Sequence, residues 1–168
     1  AASIGLVLGA CGDAAPGSAP APGEATGTVP AGIDFTVERV VDGDTIVVSG
    51  GRTVRLIGVD TPETKDPRRP VECFGREASG FTASLVPRGA RVRLVGDVEQ
   101  RDRYDRTLAY VYRLPDGLFV NAELLRRGYA QVLTIAPNVA HAEEFRALAG
   151  QARAAGAGLW AACDHPDR

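Results

Sequence analysis

The 168-residue chain has no methionine, one tryptophan and a single lysine, Lys65, so 18 of its 19 basic side chains are arginine. It also lacks an excess of positive charge. Nineteen basic residues face 21 acidic ones, and the formal net charge is −2. That balance excludes bulk electrostatic attraction as the means of holding nucleic acid, and leaves any phosphate to local arginines. Long apolar runs are missing too. The stretch Ile4 to Cys11 is far short of the roughly 20 residues a helix needs to span a bilayer. Histidine is limited to His141 and His165, and no Cys or His has a neighbour at ligand spacing, which argues against a zinc site. His141 reads as a polar residue at a helix start and His165 as a tail residue.

What is present divides the chain into four parts. Residues 1–11 end in Leu8-Gly9-Ala10-Cys11, which resembles a bacterial lipoprotein signal with Cys11 as the lipidation site. Neither Met nor a charged segment precedes the run, as in a signal truncated at its start. Residues 12–32 are Ala, Gly, Pro, Ser and Thr with almost no large apolar group, and read as a disordered spacer. Residues 33–163 form the folded domain, and 164–168 a C-terminal tail. Beyond Cys11, an even pair of cysteines in an exported chain argues for a Cys73–Cys163 disulfide that pins the C-terminus to the body. The expected location is therefore outside a bacterial cell, either secreted or held at the surface through a lipid on Cys11.

Within the domain, 35–41 alternates as a half-buried strand, Asp42-Gly43-Asp44 turns, and 45–49 forms a second strand. Gly50-Gly51 leads into a third strand over 54–59. The period changes at Glu72, with Phe74, Ala78, Phe81 and Leu85 at helical spacing and Pro87 as the stop. Strands follow over 90–95 and 108–113. Asn121 is placed to cap a helix ending at Gly128, and a last helix fits 141–155. Leu159 and Trp160 are expected to pack back onto the body. This order suits an OB-type barrel, and an α+β sandwich fits it as well.

Three clusters carry chemistry: Asp42-Gly43-Asp44-Thr45, Arg55 with Asp60-Thr61-Pro62-Glu63, and Asp102-Arg103-Tyr104-Asp105-Arg106. Singly, each is ordinary turn or surface chemistry. Together they supply hard oxygen ligands for Ca²⁺, a carboxylate to deprotonate water, and guanidiniums to grip a phosphate. Strict alternation puts Arg55 and Asp60 on opposite faces of one strand, so a bulge or an early strand end must intervene.

Over residues 34–160 these motifs resemble the staphylococcal nuclease-like, or thermonuclease, domain. The long stretch Arg55-Leu56-Ile57-Gly58-Val59-Asp60-Thr61-Pro62-Glu63-Thr64 is the most specific part of the match. The resemblance implies an α+β, mainly β fold: a five-stranded OB barrel with three helices. It implies a monomeric Ca²⁺-dependent endonuclease that cleaves single- and double-stranded DNA and RNA to 3′-phosphorylated products. By the same resemblance Asp44, Asp60 and the Thr61 carbonyl would bind Ca²⁺, and Glu63 would activate water. Arg55 and Arg106 would hold the scissile phosphate, with Arg103 and Tyr104 on a nearby terminal one. Two departures stand out. Thr134 and Ala136 occupy the positions of two tyrosines that pack on the bound nucleotide, and Asp105 replaces a glycine. Asp105 is open either to solvent or to pairing with Arg103 or Arg106. The competing class is a catalytically inactive OB-type module binding nucleic acid or protein.

Overall fold

The apolar alternation that starts at Ile33 becomes a strand long enough to serve two neighbours. In the computed structural model, which describes residues 29–65, 67 and 70–164, β1 runs Ile33–Asp42. Cys11, the 1–11 segment, most of the 12–32 spacer and His165 lie outside the described residues. Register shifts after Val37 and after Val40 bend β1. Its first half pairs with β5 (Arg91–Val95) and its second with β2 (Thr45–Val48). β2 is buried at every position, and Gly50 and Gly51, at φ 84° and 68°, turn it into β3 (Arg52–Leu56).

The third strand was expected to run unbroken to Val59. It ends instead at Leu56, and a separate β4 (Gly58–Asp60) pairs with β7 (Gln131–Leu133). The break falls at Ile57, and Gly58 directly after it has a φ of +80° that suits glycine. A Cβ on Gly58 would also come within 2.4 Å of the Phe145 ring. Gly58→Ala is expected to cost roughly 2–4 kcal/mol in a urea melt, combining the backbone penalty with overpacking. Adding Phe145→Leu should recover only the packing part.

α1 (Gly75–Leu85) follows, then β5 and β6 (Thr107–Arg113), and the parallel pairing of β3 with β6 closes a five-stranded barrel in the order β1-β2-β3-β6-β5. α2 (Val120–Arg126), α3 (Ala142–Ala154) and a short α4 (Leu159–Ala162) complete the chain. The described fold thus has one helix and one small sheet more than expected. No helix of the described residues is long and apolar enough to cross a membrane.

Two expected helix details are corrected. Asn121 is not the cap of α2 but its second residue, and it is fully buried. There it accepts the Val111 N–H at 2.9 Å and donates to the Ile57 carbonyl at 2.8 Å, tying helix to barrel at the β3–β4 break. On α1 the deep positions are Ala78, Thr82 and Leu85, while Phe81 stacks on Tyr129 with ring centroids 4.0 Å apart. Thr82 tolerates burial because its hydroxyl donates to the Gly43 carbonyl at 2.6 Å. The core joins both layers through Ile46, Leu56, Leu124, Leu125, Phe145 and Leu159, each at most 1% exposed. Burying a side chain of this size stabilises by about 1.5–3 kcal/mol. His141 stands at the start of α3, its ring 4.5 Å from that of Tyr110.

Candidate active site

The β1–β2 turn pushes two carboxylates into the protein, Asp42 and Asp44, each 7% exposed. The turn must be glycine-tight at Gly43, since a Cβ there would meet Thr61 at 2.7 Å. That contact brings the turn against the β4 exit. Asp44 Oδ2 accepts the Thr61 N–H at 3.0 Å and the Thr61 hydroxyl at 3.1 Å, while Oδ1 accepts from Thr45 Oγ1 at 2.9 Å.

Arg55 exploits the strand break. Its Nη1 donates to the carbonyls of Leu56 and Val59, at 2.9 and 2.6 Å, on either side of the interruption. Its Nη2 lies 2.8 Å from Asp60 Oδ1 and 3.2 Å from Asp44 Oδ2. One guanidinium nitrogen thus bridges two carboxylates, one of which, Asp60, strict alternation would have kept on the opposite face from Arg55.

Beyond Pro62 the chain closes over Asp42. Thr64 donates to it from its hydroxyl at 2.9 Å and its N–H at 3.2 Å. Glu63 is held by its backbone and by its side chain. Its N–H donates to Glu72 Oε2 at 2.9 Å, and its Oε1 accepts the Lys65 N–H at 2.5 Å. Burial pushes the Asp42 carboxyl up to about 6, and a hydrogen bond with Glu63 pushes the same way. Burial also raises Asp60; Arg55 opposes the rise, and the charges of Asp44, Glu72 and Glu63 add to it.

Arg106 comes from a loop between β5 and β6 that folds around Asp102. Asp102 Oδ1 accepts the N–H groups of Tyr104 and Arg106, at 2.9 and 3.0 Å, and Oδ2 accepts Arg106 Nε at 2.7 Å. Burial is the largest single influence on the Asp102 carboxyl and raises it, but these donors together hold it below its ordinary value. Asp102→Ala should free Arg106 to leave its position, read as about tenfold faster hydrogen exchange of the Tyr104 and Arg106 amides with the far-ultraviolet spectrum unchanged. Asp105 takes φ 61°, a conformation that favours glycine. It is exposed and pairs with Arg101 at 2.6 Å rather than with Arg103 or Arg106.

These elements frame one cleft of about 560 Å³ whose walls include Asp44, Arg55, Asp60, Thr61, Glu63 and Arg106. Asp42, Lys65 and Glu72 also line it. Arg103 and Tyr104 do not; they form a stack at its edge, with the Arg103 and Arg106 guanidiniums 4.9 and 5.3 Å from the Tyr104 ring. A smaller hollow of about 170 Å³ shares Arg55 and Arg106 and is walled by aliphatic side chains, among them Leu108, Leu133 and Ile135. Thr134 and Ala136 do not line it. Sequence reasoning placed Asp102 in a cluster without giving it a role and gave Glu72 none; both hold site residues rather than occupy a motif role. The Asp102-x-Tyr104-x-Arg106 spacing, a turn acidic residue two and four positions before its partners, was the available signal for the first.

A mixed barrel bearing a cleft of carboxylates and arginines at a broken strand defines the class to which this architecture belongs. The family described as "Staphylococcal nuclease homologue" matches residues 53–162. A thermonuclease of Staphylococcus intermedius is 44% identical over 125 residues, covering 73% of this chain and 70% of that protein. One from Staphylococcus hyicus is 40% identical over 129 residues, covering 75% of each. Endonuclease YncB of Bacillus subtilis is 38% identical over 132 residues, covering 76% of this chain and 62% of that protein. The chain belongs to the staphylococcal nuclease-like family.

Proposed function

We propose that this chain is a Ca²⁺-dependent nuclease that hydrolyses single- and double-stranded DNA and RNA to 3′-phosphorylated products. The observation that carries the reading is the convergence of Asp44, Asp60, Thr61, Glu63, Arg55 and Arg106 on one cleft. An inactive module has no need of a full set of acids and phosphate-gripping arginines in one place.

The residues fit a hard divalent cation. The Asp44 and Asp60 carboxylates already converge on one positive group, Arg55 Nη2, at 3.2 and 2.8 Å, and further acids line the same cleft. No three Asp, Glu, His or Cys side chains among the described residues form a metal-holding group by themselves. The donors would be the Asp44 and Asp60 carboxylates and the Thr61 carbonyl, a set that leaves room for water and a phosphate oxygen, as Ca²⁺ accepts. Bound there, Ca²⁺ would neutralise charge on the phosphate in the transition state.

This chain's own side chains do the rest. Glu63 accepts the proton of the attacking water, and Lys65 N–H and Glu72 keep it in place. Arg55, whose Nη1 is fixed on the strand break, would offer Nη2 to the phosphate from the cleft wall. Arg106, fixed by Asp102, offers its terminal nitrogens from the facing wall as charge builds on the equatorial oxygens. The 5′-oxygen departs and the phosphate stays on the 3′ side. Arg103 and Tyr104 at the cleft edge suit a neighbouring phosphate, and the aliphatic hollow suits a base without the stacking an aromatic pair would add.

The protein is read as a monomer exported from a bacterial cell, in keeping with the Cys73–Cys163 disulfide. Membrane attachment would come only through a lipid on Cys11. The test is digestion of a 5′-labelled oligonucleotide, with products whose mobility shifts after removal of a 3′-phosphate. Tight binding of the oligonucleotide with no cleavage would favour the inactive module.

A further inference from the structure

The Glu63 loop is also held from a side that takes no part in the chemistry. Glu63 N–H donates to Glu72 Oε2, and Glu72 N–H donates back to the Glu63 carbonyl, both at 2.9 Å. The next residue, Cys73, is bonded to Cys163, 90 positions along the chain. Phe74 then adopts φ 67°, and Gly75 opens α1. Gly75 packs on the same loop: a Cβ there would lie 2.7 Å from Thr64 Cγ2 and 3.3 Å from the Glu63 carbonyl.

The far end of the bridge is well anchored. Leu159 at the start of α4 is 1% exposed and its N–H donates to the Gly128 carbonyl at 2.8 Å. Cys163 N–H donates to the Leu159 carbonyl at 3.1 Å. By contrast, none of the described residues from Pro62 to Phe74 is buried. α1 itself has Ala78, Thr82 and Leu85 to seat it. The stretch carrying Glu72 lacks such burial and so draws its fixity from hydrogen bonds and the covalent link.

We propose that the Cys73–Cys163 disulfide is a brace on the catalytic loop, acting through Glu72 to position Glu63 and making turnover sensitive to reduction. The turnover part rests on the nuclease reading above. A dithiol supplies two electrons and two protons, the S–S bond becomes two thiols, and the dithiol closes to its own disulfide. Reduction frees Cys73 from α4, and the Glu72–Glu63 pair loses its fixed support.

The experiment compares amide hydrogen exchange and Ca²⁺-supported DNA cleavage of the whole chain, oxidised and dithiol-reduced. The Glu63 and Glu72 amides should exchange about tenfold faster after reduction, while the barrel amides of Val54 and Val111 hold their protection. kcat should fall about tenfold with KM within about twofold. The Cys73→Ser, Cys163→Ser double variant should behave as the reduced chain. In Glu72→Ala, reduction should add little. Unchanged exchange at Glu63 and Glu72 overturns the proposal. So does loss of protection throughout the barrel, which would make the bond a general staple. Faster exchange at those amides with kcat unchanged also overturns it. If the oxidised chain cleaves nothing, the nuclease reading fails, and the exchange data alone decide the brace.

Discussion

Replacing Glu63 with glutamine is expected to lower turnover on DNA roughly a hundred- to ten-thousand-fold, the usual worth of a positioned general base. Glutamine has nearly the same size and shape and can still accept the Lys65 N–H that Glu63 Oε1 accepts now. The bonds from Glu63 N–H to Glu72 Oε2 and from Glu72 N–H to the Glu63 carbonyl do not involve the replaced group. The variant should therefore fold, melt close to the parent and bind substrate. What it cannot do is take a proton from water. A small fall in single-turnover rate would remove Glu63 from the mechanism and leave positioning by the arginines and the cation as the main source of catalysis.

Arg55→Lys should have the second largest effect. The guanidinium spans four oxygens: two carbonyls through Nη1 and two carboxylates through Nη2. A lysine keeps the charge but is a point, and it cannot hold both sides of the β3–β4 break while reaching Asp44 and Asp60. The Arg55 side chain is only 13% exposed, so water cannot replace the lost bonds well. Stability should fall by about 1–3 kcal/mol, the cost of leaving buried acceptors unsatisfied. kcat/KM should fall about a hundred- to thousand-fold, as when a transition-state donor is removed. The two losses can be separated by urea denaturation and by assay at a temperature where the variant is fully folded. Full activity in a destabilised variant would make Arg55 a structural clasp for the strand break.

The same strand break shows where sequence reading succeeded and where it stopped. Alternation alone showed that Arg55 and Asp60 conflict within one strand, and turn chemistry showed that Gly and Pro bracket the stretch. That the relief lies at Gly58, through a positive φ and a ring packed where a side chain would stand, depends on Phe145 from a helix 87 positions later in the sequence. Such a contact leaves no local trace. β7 was missed for a like reason: three residues, Gln131–Leu133, have no periodicity of their own and become a strand by pairing with β4. Asn121 had the composition of a cap, but its amide is more valuable inside, where it satisfies Val111 N–H and the Ile57 carbonyl at once. The barrel strands and the three longer helices were legible because each carries its own apolar period. Most of the cleft's members were legible as motifs, whereas the roles of Asp102 and Glu72, which act on other residues, emerge from the hydrogen bonds.

The most direct test of the account is digestion of single-stranded DNA by this chain with Ca²⁺ and then with excess chelator. The account predicts rapid cleavage with Ca²⁺, loss of cleavage on chelation, and recovery when Ca²⁺ is restored. A folded chain that cleaves no DNA with Ca²⁺ present, or that cleaves equally well in chelator, would contradict it.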